Sequence, residues 1–410
     1  MKEKTVAIIA TCDTKGNEAN YLRERVRSYG MQGLIVDCGI LKDPTVVPDI
    51  SKHEVAAAAG HTIESLIARG SRGAAVDGMI EGVGAMVSKL YSENRIDALI
   101  AIGGAEGALL ARAAMDALPL FMPKLTLSPV ASGSHKFDEI IGYNDAMAMH
   151  TVVDILGINS ISKRLFDNAV GAIVGMLNAK LAPETEKVVR IGITAAGTVT
   201  PPLVKIVLPM LEKKGYEVYS FHSNGVGGPC MDNLVNGGYF QGVIEYSLSE
   251  LVGNLYGGLH KSRPDRMEAA IEAGVPLVAV PGVTSVVVLS TADAQAPAYE
   301  GRKKYYHNRE ITLVSLTEEE CLAVANSFVD KINRAKPGKA TVLLPLNGFS
   351  SQDKEGCALE NVPGRNAILN VIRERLAPHI RMIEFPYHIN DDEFALATAN
   401  ELLRMTQTDK

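Results

Sequence analysis

The feature that most constrains this chain is a short apolar run that ends in paired glycines and passes into helix-compatible sequence: Ala98-Leu-Ile-Ala-Ile102, Gly103-Gly104, then Ala105 onward. Five apolar residues in a row, without alternation, describe a strand buried on both faces, the kind found in a parallel sheet covered by helices. Two glycines let the backbone approach an anion closely, and the first N–H groups of the following helix point at it. The same residues also fit a plain strand-to-helix turn that needs glycine for its own geometry. Neither a Walker Lys-Ser/Thr nor a GxGxxG spacing is present.

The same unit recurs along the chain. Residues 5–10 read as an apolar strand, 17–28 as a helix with Leu22 and Val26 at i, i+4 spacing, and 33–38 as a second strand. Helices are expected over 53–69 and 72–93, the second carrying Gly78 and Gly82 four apart, a spacing that signals close packing. A helix then runs to about Leu118, a strand covers 124–128, and 144–179 reads as mainly helical. Beyond the polar Pro183-Glu-Thr-Glu-Lys187 the alternation restarts, with strands expected at 188–194, 217–222, 242–246, 275–280, 284–290, 311–315, 340–345 and 381–385. At 410 residues the chain exceeds one ordinary core. The expected fold is α/β in two domains, residues 1–183 and 187–410, each a mainly parallel sheet flanked by helices in Rossmann-like layers. Ligands of such sheets sit beyond the C-terminal ends of the strands, where this sequence gathers its glycines and prolines.

Composition narrows the function classes. With 41 basic and 47 acidic residues the net charge is −6, and no dense Lys/Arg run occurs, so no nucleic-acid partner is expected. Five scattered cysteines without a Cys-x-x-Cys fit free thiols in a reducing compartment. The N-terminal apolar run is too short for a signal peptide, and no apolar segment reaches the ~18 residues of a membrane span. A cytoplasmic protein with a small-molecule ligand and no membrane partner is the expectation.

In the first half, Thr11-Cys12-Asp13-Thr14-Lys15-Gly16 follows the first strand directly. Hydroxyls, a carboxylate and an ammonium at a strand end suit a phosphate, or a phosphate carrying a divalent cation; Lys15 would act as a point charge and Asp13 as a ribose or metal-water contact. The alternative is a capping turn with Asp13 or Thr14 as N-cap. Cys12 could be a nucleophile activated by a helix N-terminus, but no His lies near it in sequence, and packing is the favoured reading. Gly103, Gly104, Glu106 and Gly107 form a second wall, and Ser132 and Gly133, after the 124–128 strand, could complete a third. His135 nearby reads as a ligand or as a loop residue.

The second half holds the denser polar constellation. His222 stands at a strand end before Gly225, Gly227 and Gly228, which together suggest a backbone nest for an anion or a carbonyl oxygen. His222, Glu250, His388 and Asp391 are acid/base or metal candidates that could converge on one pocket, and a buried, satisfied histidine is the plain alternative for His222 and His388. No His-x-x-His spacing supports a metal site.

Taken together, several segments resemble one family. They are Asp13-Thr14-Lys15-Gly16, Gly103-Gly104, Ala131-Ser132-Gly133, Phe221-His222 with the Gly225/Gly227-Gly228 loop, Glu250, Pro264-Asp265-Arg266, Gly301-Arg302-Lys303 with His307-Asn308, and His388-Ile389-Asn390-Asp391. Over nearly its whole length the chain is similar to the UPF0261 family of Tm-1-like ATP-binding domain proteins. The resemblance implies two α/β domains, ATP or another nucleotide bound in the N-terminal half, and a homodimer or higher homo-oligomer. Where the family loop reads Gly-Gly-Ser-Gly-Gly-Thr, this chain has Gly103-Gly104-Ala105-Glu106-Gly107-Ala108. A carboxylate beside a polyphosphate is repulsive unless a cation intervenes. The family's His-Ala-Thr-Gly-x-Gly-Gly is here His222-Ser223-Asn224-Gly225-Val226-Gly227-Gly228, so the chain reads as a divergent member.

The function expected is binding of a nucleotide or phosphorylated small molecule in the N-terminal domain. It is joined to an unassigned reaction on a small carbonyl or carboxylate metabolite, with His222 or His388 as acid/base and the Gly225–Gly228 amides as an oxyanion hole. The alternative is a nucleotide-gated binding or regulatory protein without turnover. An ordinary NAD-dependent dehydrogenase lacks its fingerprint here.

Overall fold

The computed structural model describes residues 3–132, 140–180 and 188–407. Its chain divides into two compact units, Met1–Pro183 and Glu184–Lys410. The polar segment 183–187 that marks the expected boundary lies outside the described residues.

The N-terminal unit is built on a five-stranded sheet of β1 (Thr5–Ala10), β2 (Gln32–Asp37), β3 (Ala98–Ile102), β4 (Lys124–Ser128) and β5 (Met147–His150), ordered β2-β1-β3-β4-β5. Every pairing is parallel. Among the described residues its helices include α1 (Cys12–Arg27), α2 (Lys52–Ala58), α3 (Ile63–Ile67), α4 (Arg72–Ser92), α5 (Ala105–Asp116) and α6 (Ser160–Leu177). Alternation along β1 explains why an unbroken apolar run was needed. Val6 and Ile8 enter a core with Leu22 and Val26 of α1 and Phe166 of α6, whereas Ala7 and Ile9 enter the opposite one with Val83 and Val87 of α4 and Leu110 of α5. Strand order reverses at β1: β2 lies on one side and β3 on the other, so the C-terminal ends of β1 and β3 enclose the topological switch point.

Three expectations for this unit change. The helix read over 17–28 starts at Cys12, so Thr11 is its N-cap, and Asp13 and Thr14 lie within the first turn. The single helix read over 53–69 splits into α2 and α3, because Gly60 turns left-handed at φ +77° and Thr62 starts a new helix through a capping box with Ser65. The helix read over 144–179 begins only at Ser160, capped by Asn159; Met147–His150 instead forms the edge strand β5, paired with β4. Met-Ala-Met has helix propensity, and only the sheet edge beside it selects the strand. Gly82 does permit close packing: a Cβ there would sit 2.5 Å from the Val55 carbonyl oxygen of α2.

In the C-terminal unit β6 (Val189–Ala195), β7 (Tyr216–His222), β8 (Gly242–Glu245), β9 (Leu277–Ala279), β13 (Ala340–Pro345) and β14 (Arg381–Phe385) form a parallel sheet ordered β14-β13-β9-β8-β6-β7. Between β9 and β13 the chain inserts a small antiparallel sheet, β10 (Val286–Ser290), β11 (Lys304–Tyr306) and β12 (Ile311–Ser315), ordered β10-β12-β11. The apolar pattern at 284–290 and 311–315 predicts further members of the parallel alternation, but both segments belong to this antiparallel insert. The sequence also gave no sign of Lys304–Tyr306, a three-residue edge strand too short to carry a period. Both faces of the main sheet are covered: Val243 and Val342 pack with Val324 and Phe328, and Ile193 and Leu343 with Leu203 and Leu402. Among the described residues no helix is long and apolar enough to cross a membrane.

Candidate ligand site

A cavity of about 650 Å³ opens at the switch point of the N-terminal sheet. Three strand ends supply its polar lining: Thr11, Asp13, Thr14 and Lys15 follow β1, Cys38 follows β2, and Gly103 to Gly107 follow β3. Ser71 and Arg72 join them at the start of α4. Ile40, Leu41, Ile67, Val76 and Leu110 supply apolar surface, with Leu41 and Ile67 60% and 52% exposed.

Three helices, α1, α4 and α5, therefore begin at one cavity. Ser71 caps α4 by accepting the Ala74 N–H, but neither Thr11 on α1 nor Gly104 on α5 makes a side-chain cap. Among the described residues no acceptor takes the N–H groups of Gly104, Ala105, Glu106 or Gly107. Uncapped N–H groups and the positive end of the helix dipole together favour an anion. The glycines divide by role. A Cβ on Gly103 would lie 2.6 Å from the Gly107 Cα, so Gly103 serves the tightness of the turn, whereas a Cβ on Gly104 would meet nothing within 4 Å.

The other first-half candidates fall in different places. Asp13 accepts the Leu41 N–H through Oδ2 at 3.2 Å, while its buried Oδ1 has no hydrogen-bond partner. Thr14 Oγ1 and Thr11 Oγ1 are 2.9 Å apart. Lys15 lines the cavity, but its ammonium donates to the Ile155 carbonyl. Gly16 does not line it: a Cβ would collide with Thr45 Oγ1, so this glycine admits the 45–46 loop. Ser132 is exposed and outside the lining, and Gly133 and His135 lie outside the described residues. Cys12 is buried; burial first, then Asp37 beside it, pushes its thiol far up and removes the nucleophile reading. Asp37 was missed by sequence reading, yet its Oδ1 takes the Cys12 and Gly39 N–H groups at 2.9 and 2.8 Å. Arg72 was missed too. Its Nη2 bonds Glu106 Oε2 at 2.6 Å, so the carboxylate that seemed hostile to phosphate has a cation beside it.

The equivalent crevice of the C-terminal unit, between β6 and β8, is filled from within. Glu245 ends β8 and takes both Arg266 Nη1 and Nη2 at 2.7 Å, and Thr194 Oγ1 donates to it at 2.8 Å. Arg266 Nε donates to Glu250 Oε2 at 2.6 Å, and Nη1 reaches Asp232 at 3.3 Å. All four ionic residues are at most 1% exposed. The glycine nest read from the sequence exists, and its anion is Glu250, whose Oε1 accepts the Gly225 and Gly228 N–H groups at 3.0 and 3.1 Å. Gly227 N–H goes to Asn224 Oδ1, and a Cβ on Gly227 would collide with the His222 carbonyl. The expected oxyanion hole is thus already occupied, and Glu250 is held by an arginine and two amides where an acid/base would need a substrate.

The two histidines are not brought together. His222 ends β7 and His388 follows β14, the opposite edges of the sheet, five strand spacings or about 24 Å apart at ~4.8 Å each. Buried His388 accepts the Asn390 N–H at Nδ1 and donates from Nε2 to the Ser350 carbonyl, and burial lowers its pKa. Asp391 accepts the His388 N–H through Oδ2, while its backbone carbonyl takes the N–H groups of Phe394 and Ala395 at the start of the last helix. Both are thus engaged in hydrogen bonds within the fold. His222 is exposed, with its ring 6.3 Å from that of His260. Burial, and then His222, lowers His260 to about 4, and its Nδ1 meets Ser249 Oγ at 3.0 Å. No motif surrounds His260 in the sequence, so nothing there could have flagged it.

A parallel sheet with an open, helix-start-lined crevice at its switch point defines the class: a doubly wound α/β protein with a small-molecule type of cavity. Family models give the particular identity. The N-terminal domain of the uncharacterised protein family UPF0261 matches residues 4–182 and its C-terminal domain residues 188–406; this chain belongs to that family. A UPF0261 protein of Clostridium tetani is 35% identical over 98% of this chain and 99% of its own length, and one of Brucella suis 32% over 95% and 93%. The ToMV susceptible protein tm-1(GCR26) of Solanum lycopersicum is 32% identical over 98% of this chain, which spans 56% of that longer protein. A solved structure titled as a putative UDP-N-acetylglucosamine 2-epimerase from Listeria monocytogenes aligns at 8% identity over 68% of this chain and 79% of its own, with a TM-score of 0.23, too low to support any conclusion.

Proposed function

We propose that the N-terminal unit binds a nucleotide or another phosphorylated small molecule in the β1/β3 crevice. The observation that carries this reading is the run of four N–H groups, Gly104 to Gly107, without acceptors among the described residues at the start of α5, lining a cavity of about 650 Å³. That volume is within the ~300–1,000 Å³ of small-molecule sites. Phosphate oxygens would take the Gly104–Gly107 amides, Ile40, Leu41 and Ile67 would cover an apolar base, and the carboxylate of Asp13, which lines the cavity, would accept a ribose hydroxyl or a water of an accompanying divalent cation. The residues present fit such a ligand, and the ammonium of Lys15 would reach it only by leaving the Ile155 carbonyl.

Binding without turnover needs nothing further. An enzymatic role on a small carbonyl or carboxylate metabolite would fall to exposed His222, because Glu250, His388 and Asp391 are engaged in the fold. The tomato relatives' names concern ToMV, and no such role is carried to this chain. A thermal-shift screen of ATP, ADP, AMP and phosphorylated sugars tests the reading, since a ligand of the native state raises the melting temperature. A rise with a phosphorylated compound, lost in Gly104→Val, is expected. A rise only with unphosphorylated keto acids would overturn it.

A further inference from the structure

We infer that Arg72 is the anion clamp of the N-terminal cavity and that Glu106 is its built-in competitor. The inference rests on the reading above only in requiring an anion in that cavity, with or without a nucleoside attached.

Arg72 is the first residue of the 21-residue α4, and Glu106 is the second of α5. Both line the cavity, and they meet there through one bond, Nη2 to Oε2 at 2.6 Å. A cation at a helix start opposes the helix dipole, so α4 gains nothing from having an arginine at this position. The side chain is 66% exposed, which leaves it little packing role. Among the described residues the other guanidinium N–H groups of Arg72 have no acceptor. The planar fork is therefore positioned and mostly unused.

An exposed ion pair of this kind contributes little to stability and is given up easily. A phosphate or pyrophosphate offers Arg72 two parallel charge-assisted bonds in place of one carboxylate oxygen. Arg72 would turn from Glu106 to the ligand while the ligand's other oxygens take the Gly104–Gly107 amides. Glu106 then stands as an unpaired negative charge next to a bound anion. It must disfavour binding by two routes, competition for Arg72 in the free protein and repulsion in the complex. The pair thus sets a threshold: a multiply charged anion that satisfies both the fork and the helix start gets in, and a singly charged one does not.

The test uses the full chain with pyrophosphate as probe, and acetate as the singly charged control, measured by calorimetry or thermal shift. Arg72→Gln is expected to weaken pyrophosphate at least tenfold, and Glu106→Gln to tighten it several-fold, with acetate binding undetectable throughout. Melting temperatures without ligand should stay close to the parent's in both variants, since the pair is exposed. Equal pyrophosphate affinity in Arg72→Gln and the parent, no pyrophosphate binding by the parent, or weaker binding in Glu106→Gln would overturn the inference. Binding of pyrophosphate but not of ATP, ADP or AMP would instead remove the nucleotide reading and leave the clamp standing.

Discussion

At Gly228 there is no room for a side chain: a Cβ would fall on Arg266 Nε and Glu250 Oε2. That one position shows why three glycines in a polar stretch suggested a ligand nest and concealed a structural one. A sequence shows that amides are exposed to something, but the anion that fills them came from 22 and 25 residues away. Glu250→Ala would strip Arg266 Nε and the Gly225 and Gly228 amides of their acceptor together. A loss of about 3–5 kcal/mol, the usual cost of orphaning a buried charge, is expected in urea unfolding. Unchanged stability with lost turnover would restore Glu250 as an acid/base. The glycines of the open cavity make the complementary case. Gly104→Val should leave the melting temperature nearly unchanged and abolish ligand binding, because its Cβ meets only open space at the cavity lining. Gly103→Ala must push against the Gly107 Cα and should destabilise by about 1–3 kcal/mol whether or not ligand is present.

Elements carry effects that no single residue explains. The helix Gly227–Asn236 brings Asp232 against Arg266 and Glu245, and burial pushes its carboxyl up to about 6, against the pull of Arg266. A carboxyl raised above its unfolded value binds a proton in the native state first. Its contribution is therefore full below about pH 4 and is lost as the pH rises through 6. His260 works in the reverse sense. Lowered to about 4, it costs stability as the pH falls below its unfolded value near 6.5. The two oppose each other between pH 4 and 6.5. Melting temperatures of Asp232→Asn relative to the parent should rise from pH 4 to pH 7, and those of His260→Gln relative to the parent should rise as the pH drops from 7 to 4.5. A flat difference in either series would contradict the corresponding shift. Two short strands also escaped the sequence reading. β5 and β11 are edge strands of four and three residues, chosen by the neighbouring strand they pair with and not by their own pattern.

For the molecule as a whole, the described residues that line the cavity all fall between Thr11 and Leu110, and each unit has its own paired cores. A fragment of residues 1–183 is expected to fold and to keep the ligand affinity of the full chain, as circular dichroism and calorimetry would show. A folded fragment with no affinity would mean that the cavity is incomplete without the second unit. By itself the sequence determined the buried strands and their order of appearance. A strand covered on both faces needs an unbroken apolar run, and that pattern is local. It also determined the glycine-rich turns after β3 and β7, because a missing Cβ is visible residue by residue. What occupies each turn was decided by tertiary structure. Strand order put β1 beside β3 and left their crevice open. The same kind of order put β6 beside β8, where Arg266 and three carboxylates closed it. His222 and His388 were separated to opposite sheet edges, and Arg72 was brought to Glu106 from 34 residues away. Long-range pairing of charges leaves no periodic trace in a chain, so only the folded arrangement could distinguish the open site from the filled one.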